Sequence, residues 1–201
     1  LADATESVFA AVYLDGGMTH SETLMPMIDT CLKMCGLTCA DIDLYAVNAG
    51  PGSFTGLRIG LAAVKGLAFP ANTPCIGVST PEAIAWGLLG FEGTVVPMMD
   101  ARCGQVYTAL FAGRKGALVR LTEDEALPLT VLAEKLKDCP GPLWLCGDGA
   151  HLGMAAWQGE LPVRLAPPTL CYQRAAAVGL AAQNHLREAV SPAALTPCYL
   201  R

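Results

Sequence analysis

The stretch GPGSFTGLRIG, residues 50–60, decides how this sequence folds, because it joins an apolar run to a helix through a glycine-rich loop. Residues 44–47 before the loop predict a short buried strand, and residues 57–69 after it are helical in composition. Glycines let the backbone of such a loop approach another group closely, and Ser53 or Thr55 can cap the helix that follows. The predicted order is strand, glycine loop, helix.

The segments on either side continue this alternation. A capping box that starts at Thr19 opens an amphipathic helix closed by Gly36, and residues 8–14 predict one arm of an N-terminal hairpin. Downstream, residues 75–78 predict a buried strand and residues 81–89 a helix. A βαβα pattern of this kind favours a sheet with helices on its faces.

The pattern restarts near residue 93, which predicts a second lobe. Its expected elements are strands at 95–99, 105–111 and 143–146 and helices at 131–137 and 172–188. We therefore expect an α/β protein with an N-terminal lobe of residues 1–93 and a C-terminal lobe of residues 94–201.

Composition excludes several classes of protein. Hydrophobic residues make up 53% of the chain, yet no apolar run reaches the roughly 18–20 residues that a membrane span needs. The first residues do not resemble a secretion signal, so we expect a soluble cytoplasmic protein. The formal net charge of −5 repels a phosphate backbone, so direct nucleic-acid binding is not favoured.

Nine scattered cysteines without a Cys-x-x-Cys pair predict reduced, mostly buried thiols rather than disulfides or a zinc site. Cys31, Cys35 and Cys39 are spaced four apart, for which packing is the favoured interpretation over metal binding. No metal and no cofactor are expected.

The glycine loop could also contact an anion. It is neither a Walker A loop nor a GxGxxG fingerprint, but a helix N-terminus follows it and can bind phosphate. The candidate contacts for an anion or nucleotide are Gly52, Ser53 and Thr55, together with Arg102. Asp100 and Arg102 could be a functional pair, but a turn stabilised by the Asp100 side chain is favoured.

The helix after the loop carries small residues on one side. Gly56, Gly60, Ala63 and Leu67 lie three and four apart, and each glycine in a helix interior costs about 1 kcal/mol relative to alanine. Such a stripe allows close packing of another helix, either within this protein's own fold or from another subunit. The residues alone leave both interpretations open.

Four segments together resemble the TsaB family, also called YeaZ: residues 50–68, 74–83, 100–111 and 197–201. The resemblance implies an actin/Hsp70-like (ASKHA) fold with two lobes of mixed sheets flanked by helices. It implies partnership with TsaD and TsaE in transferring a threonylcarbamoyl group to the tRNA adenosine beside the anticodon. The tRNA would be reached indirectly through that complex, and the chain alone would form a homodimer. The sequence departs from the family at residues 1–4 and between Gly17 and Met18, where a strand is absent.

The family's dimer is built from the glycine-bearing helix and the helix before it. The resemblance therefore implies an interface made by Leu24, Ile28, Gly56, Leu57, Ile59, Gly60, Ala63 and Val64.

The resemblance also implies that the chain has no catalytic residues of its own. TsaD holds its metal through two histidines four residues apart, and this sequence has Thr80 and Ile84 at those positions. Isoleucine cannot ligate a metal and threonine is a weak ligand. His20, His151 and His185 are isolated in sequence, which is typical of structural or solvent-facing histidines.

The predicted function is a non-catalytic subunit that TsaD and TsaE require. The alternative is a stand-alone ASKHA-type ATPase or small-molecule kinase, which would use Asp3 as the catalytic carboxylate and the Gly147–Gly149 turn to bind phosphate. A structural homodimer regulated by partner exchange at one helical face is a third hypothesis.

Overall fold

The computed structural model describes residues 20–200, and the side chains of residues 22–200. Within that range the chain forms six α-helices and nine strands. The helices are α1 (His20–Cys35), α2 (Phe54–Ala68), α3 (Thr80–Trp86), α4 (Leu129–Leu136), α5 (Ala150–Trp157) and α6 (Ala175–Ala182). The strands are β1 (Tyr45–Gly50), β2 (Cys75–Ser79), β3 (Gly93–Arg102), β4 (Gln105–Thr108), β5 (Phe111–Arg114), β6 (Ala117–Arg120), β7 (Glu125–Pro128), β8 (Leu143–Cys146) and β9 (Val163–Leu165).

Three sequence predictions fall outside the described residues: the hairpin at 8–14, the Asp3 carboxylate and the Thr19 cap. The side chain of His20 is likewise not described.

The first sheet is a parallel pair, β1 beside β2, in which Gly50 lies opposite Ser79. Helix α2 covers one face, where Leu57 and Leu61 pack with Cys75. The other face is covered by α3 and α6. Because parallel strands end at the same edge, the glycine loop after β1 and the start of α3 after β2 are neighbours.

The second sheet is mixed and is organised around the long strand β3. Its strand order is β6-β5-β3-β4-β7, with β8 paired in parallel to β3 and β9 to β8. Helices α4 and α5 pack on one face in a cluster that contains Val96, Leu132 and Trp157. Helix α3 and the turn after it pack on the other face through Ile84 and Leu88.

The layers therefore alternate as helix, sheet, helices, sheet, helices, with α3 lying between the two sheets. The predicted α/β class with mixed sheets flanked by helices is confirmed. The proposed lobe division coincides with the start of β3 at Gly93, but the chain after Arg174 returns to the first sheet. There Val190 forms a bridge with Cys75, and the Cys198 amide donates to the Ala49 carbonyl at 2.7 Å.

Two elements differ from the sequence prediction. Residues 105–111 form two strands rather than one, because the chain bends at Ala109 and Leu110, where the Leu110 amide donates to the Thr122 hydroxyl at 2.9 Å instead of to a strand. Of the helix expected at residues 172–188, only α6 is α-helical. It continues as a 3₁₀ segment, Gln183–Glu188, in which His185 has non-helical backbone angles. Hydrophobic periodicity did not predict the short elements β6, β7, β9 and α5.

All nine cysteines are free thiols, but the expectation that most are buried is wrong. Only Cys75 and Cys146 are buried, and burial raises the pKa of both thiols. Cys39 lies beyond the end of α1 on a separate 3₁₀ turn, so it does not share a helical face with Cys31 and Cys35. No helix formed by residues 20–200 is long and apolar enough to cross a membrane.

Candidate functional site at helix α2 and the glycine loop

The glycine loop is held by the C-terminal segment of the chain. Gly50 has a φ of +124°, a conformation that side chains disfavour, and a Cβ there would overlap the Cys198 carbonyl oxygen. Gly52 lies against Met99 near the end of β3. The close approach predicted for this loop is therefore made by the chain's own backbone and side chains.

The residues proposed for anion binding lie at two places. The Ser53 hydroxyl accepts a hydrogen bond from the Gly56 amide at 3.4 Å, so it is the cap of α2, and Thr55 is exposed in the first turn. Arg102 is on the β3–β4 hairpin, where its side chain is 87% exposed and 3.6 Å from the Asp100 carboxylate. That carboxylate also accepts from the Arg102 amide at 2.8 Å, which is the turn geometry favoured from the sequence.

Gly60 of the small-residue stripe on α2 faces the first sheet. A Cβ on Gly60 would lie 3.7 Å from the Val47 side chain in β1, and Leu57 is buried against the first sheet. Val64 packs at the edge of the same cluster, whereas Ile59 and Ala63 are half-buried and lie further round the helix. Part of the stripe is thus used in the chain's own core, and Ile59 is among the residues at its outer margin.

Helix α1 packs against α2 and carries the other proposed interface residues. Leu24 and Ile28 are half-buried, and Leu32 is buried. Met25 and Met34 are 45% and 69% exposed, which leaves flexible apolar side chains on the surface of α1. The α1–α2 pair therefore presents a partly apolar outer surface.

The opposite flank of α2 carries an aromatic cluster that the sequence analysis did not identify. Phe54 lies 5.3 Å from the ring of Tyr199, and the Arg58 guanidinium stacks 3.9 Å from the centre of the Phe54 ring. The Arg58 Nε also donates to the Tyr199 hydroxyl at 3.2 Å. Tyr107 and Gly52 complete a cavity of about 300 Å³ beside this cluster. The only signal in the sequence is the i, i+4 spacing of Phe54 and Arg58.

A second cluster missed by the sequence analysis lies between the two sheets. Arg120 on β6 contacts the carboxylates of Glu82 at 3.2 Å and Asp124 at 2.8 Å. Asp124 also accepts from the Ser79 hydroxyl at 2.9 Å, and His185 contacts Glu82 at 3.0 Å. We call these five residues the polar node; they join β2, α3, β6, the β6–β7 loop and the 3₁₀ segment after α6.

The positions that correspond to the TsaD metal ligands do not fit a metal. Thr80 and Ile84 are 2% and 3% exposed, and Ile84 packs in the core beneath the second sheet. Among the side chains of residues 22–200 no three His, Cys, Asp or Glu are grouped to hold a metal ion.

The Gly147–Gly149 turn is packed closely against β3. A Cβ at Gly147 would overlap the Met98 carbonyl oxygen, and the Asp148 carboxylate accepts from the Asp100 amide at 3.2 Å. His151 lies in the first turn of α5 and is exposed. The turn thus has a structural role in joining β8 to β3.

Two sheets separated and flanked by helices define an α/β protein of the actin-like ASKHA class. The described site has a partly apolar surface on α1 and α2 and a cluster of paired charges.

The comparisons with known proteins agree with this class. Residues 16–134, more than half of the chain, match the family model described as tRNA N6-adenosine threonylcarbamoyltransferase, TsaD. The chain is 32% identical to the tRNA threonylcarbamoyladenosine biosynthesis protein TsaB of Bacillus subtilis (strain 168), over 90% of this chain and 80% of that protein. It is 34% identical to TsaB of Escherichia coli (strain K12), over 73% of this chain and 68% of that protein.

The solved structure of YeaZ from Pseudomonas aeruginosa superimposes with a TM-score of 0.70 at 25% identity, covering 91% of this chain and 86% of that one. The chain belongs to the TsaB (YeaZ) family.

Proposed function

We propose that this protein is a non-catalytic subunit of the machinery that forms N6-threonylcarbamoyladenosine in tRNA, acting in the cytoplasm. Its partner is a TsaD-type transferase, together with a TsaE-type protein, and it supports transfer of the threonylcarbamoyl group without turnover of its own. The observation that carries this proposal is the match to TsaB of Bacillus subtilis, which extends over 90% of the chain.

The site geometry supports a docking role more than a catalytic one. The α1–α2 surface presents apolar side chains outward, including Met25 at 45% exposure, which is typical of an adaptable contact surface. Ser79, a nucleophile candidate by residue type, is engaged by Asp124 and by the Glu82 amide. The Asp124 carboxylate is paired with Arg120 at 2.8 Å, so both hydrogen bonds of the Ser79 hydroxyl serve to hold the fold.

The proposed docking surface is the α1–α2 pair, by which the chain would bind the transferase or, when alone, a second copy of itself. Of the residues expected there, Ile59 is the best probe, because it is half-buried at the outer margin and is away from the sheet. The tRNA would be bound mainly by the transferase, because a chain of net charge −5 repels phosphate.

Complex formation tests the proposal. We expect the chain to form a heterodimer with the TsaD-type transferase of the same organism in sedimentation velocity, and Ile59→Arg to weaken it by at least ~10-fold. Val131→Arg is the matched control, since Val131 is 43% exposed on α4, in the second lobe of the proposed division. Calorimetry with ATP should show no binding to the isolated chain. ATP hydrolysis by the isolated chain, without any complex, would instead favour the kinase-like alternative.

A further inference from the structure

The 3₁₀ segment Gln183–Glu188 connects α6 to the C-terminal part of the chain. None of its six residues, all of which the structure describes, is buried, and Leu186 is 57% exposed. Burial of apolar side chains is the main source of stability for most elements of a fold. This segment therefore depends more than its neighbours on the polar contacts of its side chains.

Those polar contacts centre on His185, whose backbone angles, φ −114° and ψ 19°, interrupt the helical run. The Nε2 atom lies 3.0 Å from an oxygen of Glu82 on α3, 103 residues earlier in the chain, and the Nδ1 atom lies 3.0 Å from Glu188. The side-chain amide of Asn184, by contrast, donates to the Leu180 carbonyl only four residues back. His185 therefore ties the segment to a distant element. We call His185, Glu82 and Glu188 the His185 latch.

The two carboxylates of the His185 latch differ in their surroundings. Both oxygens of Glu82 have partners, since Oε2 accepts from Arg120 at 3.2 Å and Oε1 faces His185, and this side chain is only 11% exposed. The Glu188 side chain is 71% exposed, so water can replace its contact with the ring. One side of the latch is thus fixed in the fold, and the other lies at the surface.

The latch has its full strength only when the ring carries two protons. A neutral imidazole has one N–H group, so it donates to one carboxylate and turns a lone pair towards the other. It also loses the charge that strengthens both hydrogen bonds. The hydrogen bonds that the ring donates to Glu188 and then to Glu82 raise the pKa of His185 above 6.5. The latch is therefore at full strength below pH 6.5 and weakens as pH rises through the folded-state pKa.

The other groups near the ring do not account for such a dependence on pH. Helix α6 has no titratable side chain, and the charged or titratable residues on the other neighbouring elements are Glu82 on α3, Arg120 on β6, Asp124 in the β6–β7 loop, Cys75 on β2 and Arg187 in the segment itself. Arginine keeps its charge at neutral pH, and burial raises the pKa of the Cys75 thiol. His185 is the group of this cluster whose ordinary pKa lies nearest to neutral pH.

The latch lies where the chain returns to the first sheet. Val190 exchanges two backbone hydrogen bonds with Cys75, at 2.8 and 2.9 Å. Further on, Leu195 is buried against α2, and the Cys198 carbonyl lies against Gly50. We call residues 189–200 the C-terminal strap. Because this strap holds the glycine loop, a change in the latch acts on the first residues of the segment that supports the loop.

We propose that the His185 latch is a pH-sensitive switch: when the ring loses a proton, residues 183–190 open locally while both sheets stay folded. Opening frees the first residues of the C-terminal strap, whereas Leu195 and Cys198 hold its far end. The inference goes beyond the proposed function and does not depend on it, because it concerns the chain by itself.

Hydrogen exchange of the full chain tests the inference. Exchange of the amides of residues 183–190 is measured by mass spectrometry at pH 6 and pH 8.5 and converted to protection factors, which removes the intrinsic effect of pH on exchange. We expect protection of the wild type to be about 10-fold lower at pH 8.5, because hydrogen bonds between charged groups are about twice as strong as neutral ones. At both pH values the segment should be less protected than the core strand β3.

Two histidine variants separate the latch from other effects of pH. His185→Gln carries an uncharged donor in place of the ring, so its protection at both pH values should match that of the wild type at pH 8.5. His151→Gln is the matched control, because it removes an exposed histidine in the first turn of α5, and it should behave as the wild type. If His185→Gln keeps the wild-type dependence on pH, or if the wild type shows none, the inference is wrong.

Titration of the His185 ring, followed by NMR, gives a second measurement that does not require His185→Gln to fold. Glu188→Gln keeps an acceptor at an exposed position but removes its charge, so it should lower the midpoint of the titration and reduce protection at pH 6 about 3-fold. An unchanged midpoint would contradict the latch. Equal protection of residues 183–190 and of β3 at both pH values would also overturn the inference, because the segment would then open only in global unfolding.

Discussion

We use the name α2 strip for the outward flank of α2, which consists of Phe54, Arg58, Ala62, Lys65 and, just past the helix end, Phe69. The polar node and the α2 strip both contain charged side chains, but those of the node are paired and those of the strip are not. In the node, Arg120 contacts two carboxylates and Glu82 contacts both Arg120 and His185, so the main charges are paired inside the molecule. On the α2 strip, Arg58 and Lys65 have no carboxylate partner among the described residues.

The polar node is also more buried than the α2 strip. Glu82 is 9% exposed, whereas Phe54 and Phe69 on the strip are more than half exposed. Buried charge must be paired within the fold, while unpaired charge stays stable only where water or a partner can reach it. The comparison therefore indicates that the node holds the two sheets together, whereas the strip leaves its two phenylalanines on the surface.

We expect the largest loss of stability when a carboxylate of the polar node is removed. Glu82→Ala removes the partner of both Arg120 and His185, which leaves a cation in a mostly buried place. We expect a loss of about 3 kcal/mol in the free energy of unfolding, measured by urea denaturation. Glu134→Ala, on an exposed ion pair of α4, should cost less than about 1 kcal/mol. Equal losses would contradict a structural role for the node.

The second prediction compares the two serines that cap helices, Ser79 in the polar node and Ser53 at the start of α2. Ser79 donates to Asp124 and caps α3 by accepting from the Glu82 amide, whereas exposed Ser53 only caps α2. Ser79→Ala should cost about 2 kcal/mol and Ser53→Ala about 1 kcal/mol or less, because only Ser79 loses two interactions. A lower melting temperature for Ser53→Ala than for Ser79→Ala would contradict this prediction.

The third expected effect depends on pH. Both ring nitrogens of His185 face carboxylate oxygens, Nδ1 at 3.0 Å from Glu188 and Nε2 at 3.0 Å from Glu82, and two acceptors are best satisfied by a doubly protonated ring. The hydrogen bonds that the ring donates to the carboxylates of Glu188 and then Glu82 raise the pKa of His185 above its ordinary 6.5. Stability from this pair is therefore present below pH 6.5 and is lost as pH rises through the folded-state pKa.

His185→Gln should consequently destabilise the protein more at pH 6 than at pH 8.5. The other charged groups close to the ring are Arg120 and Asp124 of the polar node, and Arg187 is near in sequence. Urea denaturation of both proteins at the two pH values checks the prediction. A greater loss at pH 8.5 would show that His185 acts as a neutral residue.

The smallest expected effect on stability is at the strip. Lys65→Glu should change the free energy of unfolding by less than about 1 kcal/mol, because Lys65 takes part in no ion pair found among the described residues. A loss as large as that of Glu82→Ala would mean that the strip is part of the fold and not a free surface.

Periodicity predicted the long local elements well. Helix α1, the strand–loop–helix around Gly50 and the buried strand β2 follow from spacing and glycine positions, and the structure confirms them. The break at Ala109 was not predictable, because it depends on Thr122 beyond the next two strands. The kink at His185 likewise depends on Glu82, which is 103 residues away.

The candidate site was predicted only in part. The cap at Ser53 and the Asp100 turn are local and were identified, whereas the strip needs Tyr199 to fold back onto Arg58 across 141 residues. The inward orientation of Gly60 toward Val47 could not be read from a helical stripe alone, since a stripe does not say which side faces the sheet.

The most direct test of the account is threonylcarbamoyl transfer to unmodified tRNA in a reconstituted mixture. The mixture contains the TsaD-type and TsaE-type proteins of the same organism and threonylcarbamoyl-adenylate, with or without this chain. We predict that product forms only when the chain is present and that the chain alone neither binds ATP nor yields product. Full product without the chain, with ATP hydrolysis by the chain alone, would contradict the account.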